Sequence, residues 1–171
     1  FINNSVKEIL MIEIIAGVGV FLGYIYVSHV LDYKILKEKY MKEKNWDLNI
    51  SCGNTRIGKI NADIVKRNVP NFVLIEDIYN MPFKDKEFKE VISSHTIEHV
   101  DNPDLFFKEL TRISKNVTIL LPPFWDLASM FWILEHKWLF LTLNTKHVNK
   151  LPSKIKMPYC LVHKILGQRI K

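Results

Sequence analysis

Between Trp46 and Asp63 the chain reads WDLNISCGNTRIGKINAD, and several residues in that stretch have chemistry to offer. Leu48, Ile50 and Cys52 alternate with polar residues, the pattern of a buried or half-buried strand. The run breaks at Cys52-Gly53-Asn54, residues suited to a tight turn and to close approach of a ligand to backbone N–H groups. A second apolar run, Lys59 to Val65, carries a carboxylate at Asp63. Strand, small-residue turn, strand and acid outline a nucleotide-type pocket, the acid accepting hydrogen bonds from ribose hydroxyls.

A second constellation lies at His95-Thr96-Ile97-Glu98-His99, which spells HxxEH, the inverted zinc-peptidase motif. That chemistry needs both histidines on one face of a sustained helix, with a third ligand elsewhere. Asp101-Asn102-Pro103 follows only two residues later, so the helix has barely a turn and a half. The spacing therefore disfavours a peptidase, and no metal is expected. His99 as a general base, or Glu98 and His99 as a pair that fixes the loop, are the readings left open.

These residues need a scaffold. Short apolar runs predict strands at Leu48–Ser51, Ile60–Ile64, Phe72–Glu76, Glu90–Ser94 and Val117–Leu121. Pro103 to Ser114 predicts a helix capped by Asp101 or Asn102. Its inner face is Leu105, Phe106, Leu110 and Ile113, and its outer face is Lys108, Glu109 and Arg112. Strands interspersed with helix imply an α/β, mostly parallel sheet.

Ahead of the scaffold, Ile14 to Leu31 is 18 residues with no Asp, Glu, Lys or Arg. As a helix it spans about 27 Å, close to the roughly 30 Å of a bilayer's hydrocarbon. It is apolar all round and carries Gly17, Gly19 and Gly23. A secretory signal is the rival, but Asp32-Tyr33-Lys34 follows it in place of a small-residue cleavage site. The expected organisation is a tail over 1–8, a transmembrane helix over 9–31, a charged linker over 32–45 and a domain over 46–171. Lys34, Lys37, Lys39, Lys42 and Lys44 follow the helix and only Lys7 precedes it, which places the domain in the cytoplasm.

Composition excludes some classes. The net charge of +6 is spread along the chain with no dense basic run, so nucleic acid is not an expected partner. Two distant cysteines, Cys52 and Cys160, fit reduced thiols better than a disulfide framework. Phe124 to Leu143 is rich in tryptophan and phenylalanine and reads equally as core or as an interfacial segment that admits an amphiphilic acceptor.

From Trp46 to Pro123 the chain resembles the class I S-adenosylmethionine-dependent methyltransferases, in the branch called type 11. Leu48-Asn49-Ile50-Ser51-Cys52-Gly53 looks like the methionine-cradling turn. Ile60 to Ile64 looks like the second strand with its ribose acid. Glu76-Asp77-Ile78, then Met81-Pro82-Phe83-Lys84-Asp85, looks like the adenine-side acid and its loop. Ser94 to Val100, then Asp101-Asn102-Pro103, looks like the stretch after the fourth strand. The resemblance implies a Rossmann-like fold and S-adenosylmethionine as cofactor. It assigns Ser51, Cys52 and Gly53 to the methionine end, Asp63 to the ribose, and Asp77 with Ile78 to the adenine. Ser94 and His95 then line the pocket near the methyl. A small or lipid-like acceptor at a membrane is expected from the apolar helix and the aromatic segment alone. Ser51 departs from the family's usual glycine. The link from Gly53 to Lys59 is shorter than the dozen residues of an ordinary helical crossover, which leaves the pairing of the first two strands open.

Overall fold

The computed structural model describes residues 4–130 and 136–157. Five parallel strands form the sheet: β1 (Trp46–Ile50), β2 (Gly58–Asp63), β3 (Phe72–Leu74), β4 (Phe88–Ser94) and β5 (Ser114–Leu120). A sixth, β7 (Lys146–Val148), joins antiparallel at the β5 edge, giving the order β3-β2-β1-β4-β5-β7. A separate antiparallel pair is made by β6 (Trp138–Phe140) and β8 (Lys154–Lys156). The expected mostly parallel α/β architecture is therefore the one observed.

Side-chain alternation gives the sheet two buried faces. On one, Leu48, Ile50, Val91, Val117 and Ile119 pack with Phe106, Leu110 and Ile113 of helix α3 (Pro103–Ile113). Asn102 caps that helix by accepting from the Leu105 N–H at 3.1 Å, and Pro103 takes the first-turn position that lacks an N–H partner anyway. On the other, Ile92 and Leu120 pack with the fully buried Trp46 and with Met41. Met41 ends helix α2 (Lys37–Met41), and its carbonyl accepts from the Trp46 indole N–H at 2.7 Å. The charged segment ahead of the domain is helical up to Met41, and its end packs on this face of the sheet.

Strands β1 and β2 pair in parallel although only residues 51–57 connect them, without a helix. A strand this short is about 17 Å long, within the roughly 23 Å that those residues reach when extended. Buried amides take over the helix's positioning task. Asn49 donates to Thr55 Oγ1 at 2.9 Å and to Asn61 Oδ1 at 3.2 Å, and Thr55 bonds back to the Cys52 carbonyl at 2.6 Å. Asn61 also holds the backbone of Gly58 and Pro70. Gly58 itself lies so close to β1 that a Cβ there would meet the Asn49 nitrogen at 2.8 Å, as well as the Ile60 carbonyl oxygen.

Helix α1 (Asn4–His29) runs on through a wider π-helical segment, Val30–Leu36, into α2. Residues 5–24 are exposed throughout, and the most apolar window of the helix, of mean hydropathy 2.1, is 0% buried. Here is one helix long and apolar enough to cross a membrane, and it is not a core helix of this fold. Only its last turns touch the domain. The π segment turns Asp32 inward, where it is fully buried and accepts from the Thr145 hydroxyl at 2.6 Å.

Candidate active site

In a parallel sheet all strands end at one edge, and strand register decides which ends are neighbours. Ile50 stands beside Ala62 on one side and Ser93 on the other, and Asp63 stands beside Leu74. The turn after β1, the acid ending β2, the loop after β3 and the end of β4 therefore share that edge.

The turn after β1 is left-handed at both Ser51 (φ 54°) and Gly53 (φ 52°). Glycine adopts this freely, whereas Ser51 holds it under strain. The Cys52 N–H continues the ladder to the Ala62 carbonyl at 3.1 Å. The Gly53 N–H donates to Asp63 Oδ2 at 2.9 Å, so turn and acid meet directly. Asp63 Oδ1 accepts from the Val65 N–H at 3.0 Å, and Arg67 Nε stands 3.7 Å from Oδ2. Burial, and then the Asp63 charge, push the Cys52 thiol up to about 11, which keeps it protonated and unreactive.

Asp77 lies in the loop after β3, exposed, with Oδ1 accepting from the Tyr79 N–H at 2.8 Å. Ile78 packs half-buried on the core. Among the described residues no hydrogen bond joins Asp77 to Asp63 or Gly53. The following loop is latched to α3. Glu109 accepts from the Met81 N–H at 2.6 Å, and Arg112 spans Glu109, Asp85 and the carbonyls of Met81 and Phe83. Glu109, expected on the outer face of the helix, is buried, because a loop distant in sequence lies across that face. Its carboxyl is held below the usual range by the Arg112 guanidinium.

At the end of β4, His95 is left-handed (φ 49°) and its N–H donates to the Leu120 carbonyl at 3.0 Å. His95 Nε2 and the Ser94 hydroxyl are buried with no hydrogen-bond partner among the described residues. The HxxEH residues lie on a turn, closed by the His99 N–H to the Thr96 carbonyl at 2.9 Å, rather than on the helix a zinc peptidase needs. Glu98 is buried, and neither carboxylate oxygen accepts a hydrogen bond among the described residues. Its Oε1 stands 3.7 Å from His95 Nδ1 and 3.9 Å from His99 Nε2. The Glu98 carbonyl accepts from the N–H groups of Lys137 and Trp138 at 2.8 and 3.1 Å, which brings His136 edge-on to His99. Burial pushes the Glu98 carboxyl up, holds the His95 imidazole well below its ordinary range, and lowers His136 to about 4.

The N-terminal helix closes this side of the edge. Tyr33 meets the His95 ring edge-on at 5.2 Å, with His29 stacked on Tyr33 at 5.4 Å. His29 Nδ1 lies 3.1 Å from Asp126 Oδ2, and the Tyr24 hydroxyl donates to the Trp125 carbonyl at 3.0 Å.

Of the residues named from sequence, Ser51, Cys52 and Gly53 form one turn, which meets Asp63 through the Gly53 N–H. Ser94, ending β4, with His95 and His99 after it, lies on one side of that turn, and Asp77 with Ile78 follow β3 on the other. Sequence patterns name Glu98 within the HxxEH stretch without revealing its burial, and they name neither Arg67 nor His136. Arg67 reaches Asp63 through an irregular segment after β2, where a spacing of four residues carries no signal, and nothing in the sequence ties His136 to Glu98. Trp138 and Phe140 belong to the core, while Trp125, Leu141 and Leu143 stay at the surface near the helix. Trp132 and Cys160 lie outside the described residues.

The chain is similar in structure to a Thermotoga maritima S-adenosylmethionine-dependent methyltransferase described as a possible histamine N-methyltransferase. They share 20% identity at a TM-score of 0.45, over 65% of this chain and 62% of that one. It is similar also to a Pyrococcus horikoshii protein, at 21% identity and TM-score 0.43 over 67% and 64%. A Bacillus halodurans putative methyltransferase gives 18% and 0.39 over 52% and 50%. The chain thus spans less than two thirds of the length of each of these structures. No curated protein matches it. The model of the type 11 family, described as a methyltransferase domain, matches residues 36–121, half of the chain and the part that runs from α2 through β5. The chain belongs to this methyltransferase family, whose cofactor is S-adenosylmethionine.

Proposed function

We propose that this protein transfers a methyl group from S-adenosylmethionine to an acceptor at a membrane surface. The observation that carries the reading is the 2.9 Å bond from the Gly53 N–H to Asp63, which joins turn and acid on the strand-end edge. The residues there suit the cofactor. The Asp63 oxygens each accept one backbone N–H and keep further lone pairs for ribose hydroxyls. Ser51, Cys52 and Gly53 are assigned to the methionine end, Asp77 with Ile78 to the adenine, and the unpartnered Ser94 hydroxyl and His95 Nε2 to the reacting end. The bound cofactor supplies an already activated sulfonium methyl, so the protein mainly has to align the acceptor and manage its proton. His99 is the residue assigned to activating the acceptor.

In this reading residues 9–31 span the bilayer and the domain faces the cytoplasm, as the lysines after the helix favour. Residues 1–8 are then a tail, 32–45 the helical junction, and 46–171 the methyltransferase domain. Leu141 and Leu143, 41% and 70% exposed, together with Trp125 beside Tyr24, favour a lipid-like, quinone-like or glycan acceptor at that surface. A second reading, a non-catalytic tethered relative, draws on the helix-less first crossover and on the strained Ser51.

Calorimetry with S-adenosylhomocysteine on the full chain in detergent separates the two. Micromolar binding, weakened about 10–100-fold in Asp63→Ala, supports the enzyme. The loss corresponds to one charge-assisted hydrogen bond of about 1.5–3 kcal/mol. No detectable binding selects the non-catalytic relative. In sealed vesicles, a maleimide label at Lys115→Cys that reacts only from the lumenal or external side overturns the orientation.

A further inference from the structure

We propose that Glu98, His99 and His136 bind one divalent transition-metal ion. Their ligand atoms, one from each side chain, all lie within 4.8 Å of one another. The Glu98 carboxylate is the second, independent observation. It is 1% exposed, and neither oxygen accepts a hydrogen bond among the described residues. His95 Nδ1 and His99 Nε2 stand 3.7 and 3.9 Å from its Oε1, too far for hydrogen bonds, and His99 is close enough to share an ion with it after a modest contraction. A buried carboxylate is kept only where something compensates it, and coordination to a cation does so.

The donor set selects the ion. Two imidazole nitrogens and one carboxylate oxygen with a position left open match catalytic zinc and facial-triad iron sites. Magnesium and calcium prefer all-oxygen surroundings. The support around the ligands is of the matching kind. The Glu98 carbonyl holds the N–H groups of Lys137 and Trp138, so the segment carrying His136 is tied to the carboxylate it faces. Asp32, within electrostatic reach of Glu98, and Asp126, within reach of His136, favour a cation there, against Lys37, whose charge also reaches Glu98.

Whether the ion binds is independent of methyl transfer, but its use there rests on the reading above. An acceptor hydroxyl bound to the ion loses its proton to water. The oxygen then forms a bond to the methyl carbon as the carbon–sulfur bond breaks and S-adenosylhomocysteine leaves. His99 then activates the acceptor through the ion it holds.

The test uses the untagged full chain in detergent, stripped with chelator and titrated with Co2+. One ion per chain is expected, with the visible bands of four- or five-coordinate cobalt and displacement by Zn2+. Glu98→Gln, close to isosteric, and His136→Ala should each weaken binding more than about 100-fold, beyond what losing an outer partner costs. Thermal unfolding verifies that each variant is folded. Substoichiometric cobalt, six-coordinate aquo-like spectra, or affinities within about threefold of the parent in Glu98→Gln overturn the site. S-adenosylhomocysteine binding on the same samples tells the two proposals apart. An ion bound without the nucleoside breaks only the methyl-transfer reading, and the nucleoside bound without an ion breaks only the metal site.

Discussion

The two halves of the strand-end edge are built on opposite principles. On the β1–β2 side the buried amides and the turn find their partners within about a dozen residues: Asn49 with Thr55 and Asn61, Gly53 with Asp63, Asp63 with Val65. Arg67 Nε, at 3.7 Å from Asp63, is the exception. On the β4 side Ser94, His95 and Glu98 keep buried polar atoms unanswered by hydrogen bonds among the described residues, and the groups around them come from Tyr33, Asp126 and His136. Satisfied buried amides hold a shape, whereas unsatisfied buried groups cost stability and persist where a ligand is to be met. The first half is scaffold that ends in a binding turn. The second is a site waiting on chemistry.

If that contrast is right, truncation in the first half destabilises. The largest effect is expected at Asn61, whose amide is buried and answers Asn49, Gly58 and Pro70. Asn61→Ala leaves several buried partners unpaired and should cost about 4 kcal/mol, read as a fall in the thermal unfolding midpoint. A loss under about 1 kcal/mol means that water replaces the amide and the crossover is not held as described. Gly58→Ala comes next, at about 2 kcal/mol, because the Cβ must push Asn49 away from β2.

The latch between α3 and the loop at 81–85 adds a pH dependence of known sign. The folded-state carboxyls of Glu109 and Asp47 lie below their ordinary values, through Arg112 and Lys59 respectively. Their contribution is complete above the ordinary carboxylate range and disappears as pH falls through the folded values. Stability measured from pH 7 down to pH 3 should therefore decline, and Arg112→Ala should flatten the Glu109 part of that slope. An unchanged slope in the variant breaks the latch.

The same contrast decides what could be read from sequence. Strand order along the chain, the Asn102 cap and the turn-plus-acid at Gly53 and Asp63 are local patterns, in which alternation and spacing carry the physics. The length of the link does not predict the pairing of β1 with β2, because Asn49 and Asn61, rather than a helix, do the positioning. Helical periodicity puts Glu109 on the outer face because it sees only the helix, not the loop that lands on it. His136 was invisible for the same reason. Its meeting with Glu98 depends on backbone bonds from Lys137 and Trp138 that no spacing announces.

The smallest effect is the sharpest test of the contrast, because its sign reverses. Glu98 is buried, its carboxyl is pushed up by that burial, and its oxygens lack hydrogen-bond donors among the described residues. In chelator-stripped protein Glu98→Gln removes an ionisable group whose charging is opposed at every pH while keeping the side chain's shape. The amide leaves donors of its own to be placed, so the gain is modest, about 1 kcal/mol near pH 7. It should shrink as pH falls and the parent carboxyl takes up a proton, since a raised folded pKa costs stability above it and nothing well below both pKa values. A rise in the thermal midpoint at pH 7 that fades at pH 4 fits a site held at the expense of stability. A fall of the Asn61→Ala kind instead makes Glu98 part of the scaffold, and the division of the edge into two halves fails with it.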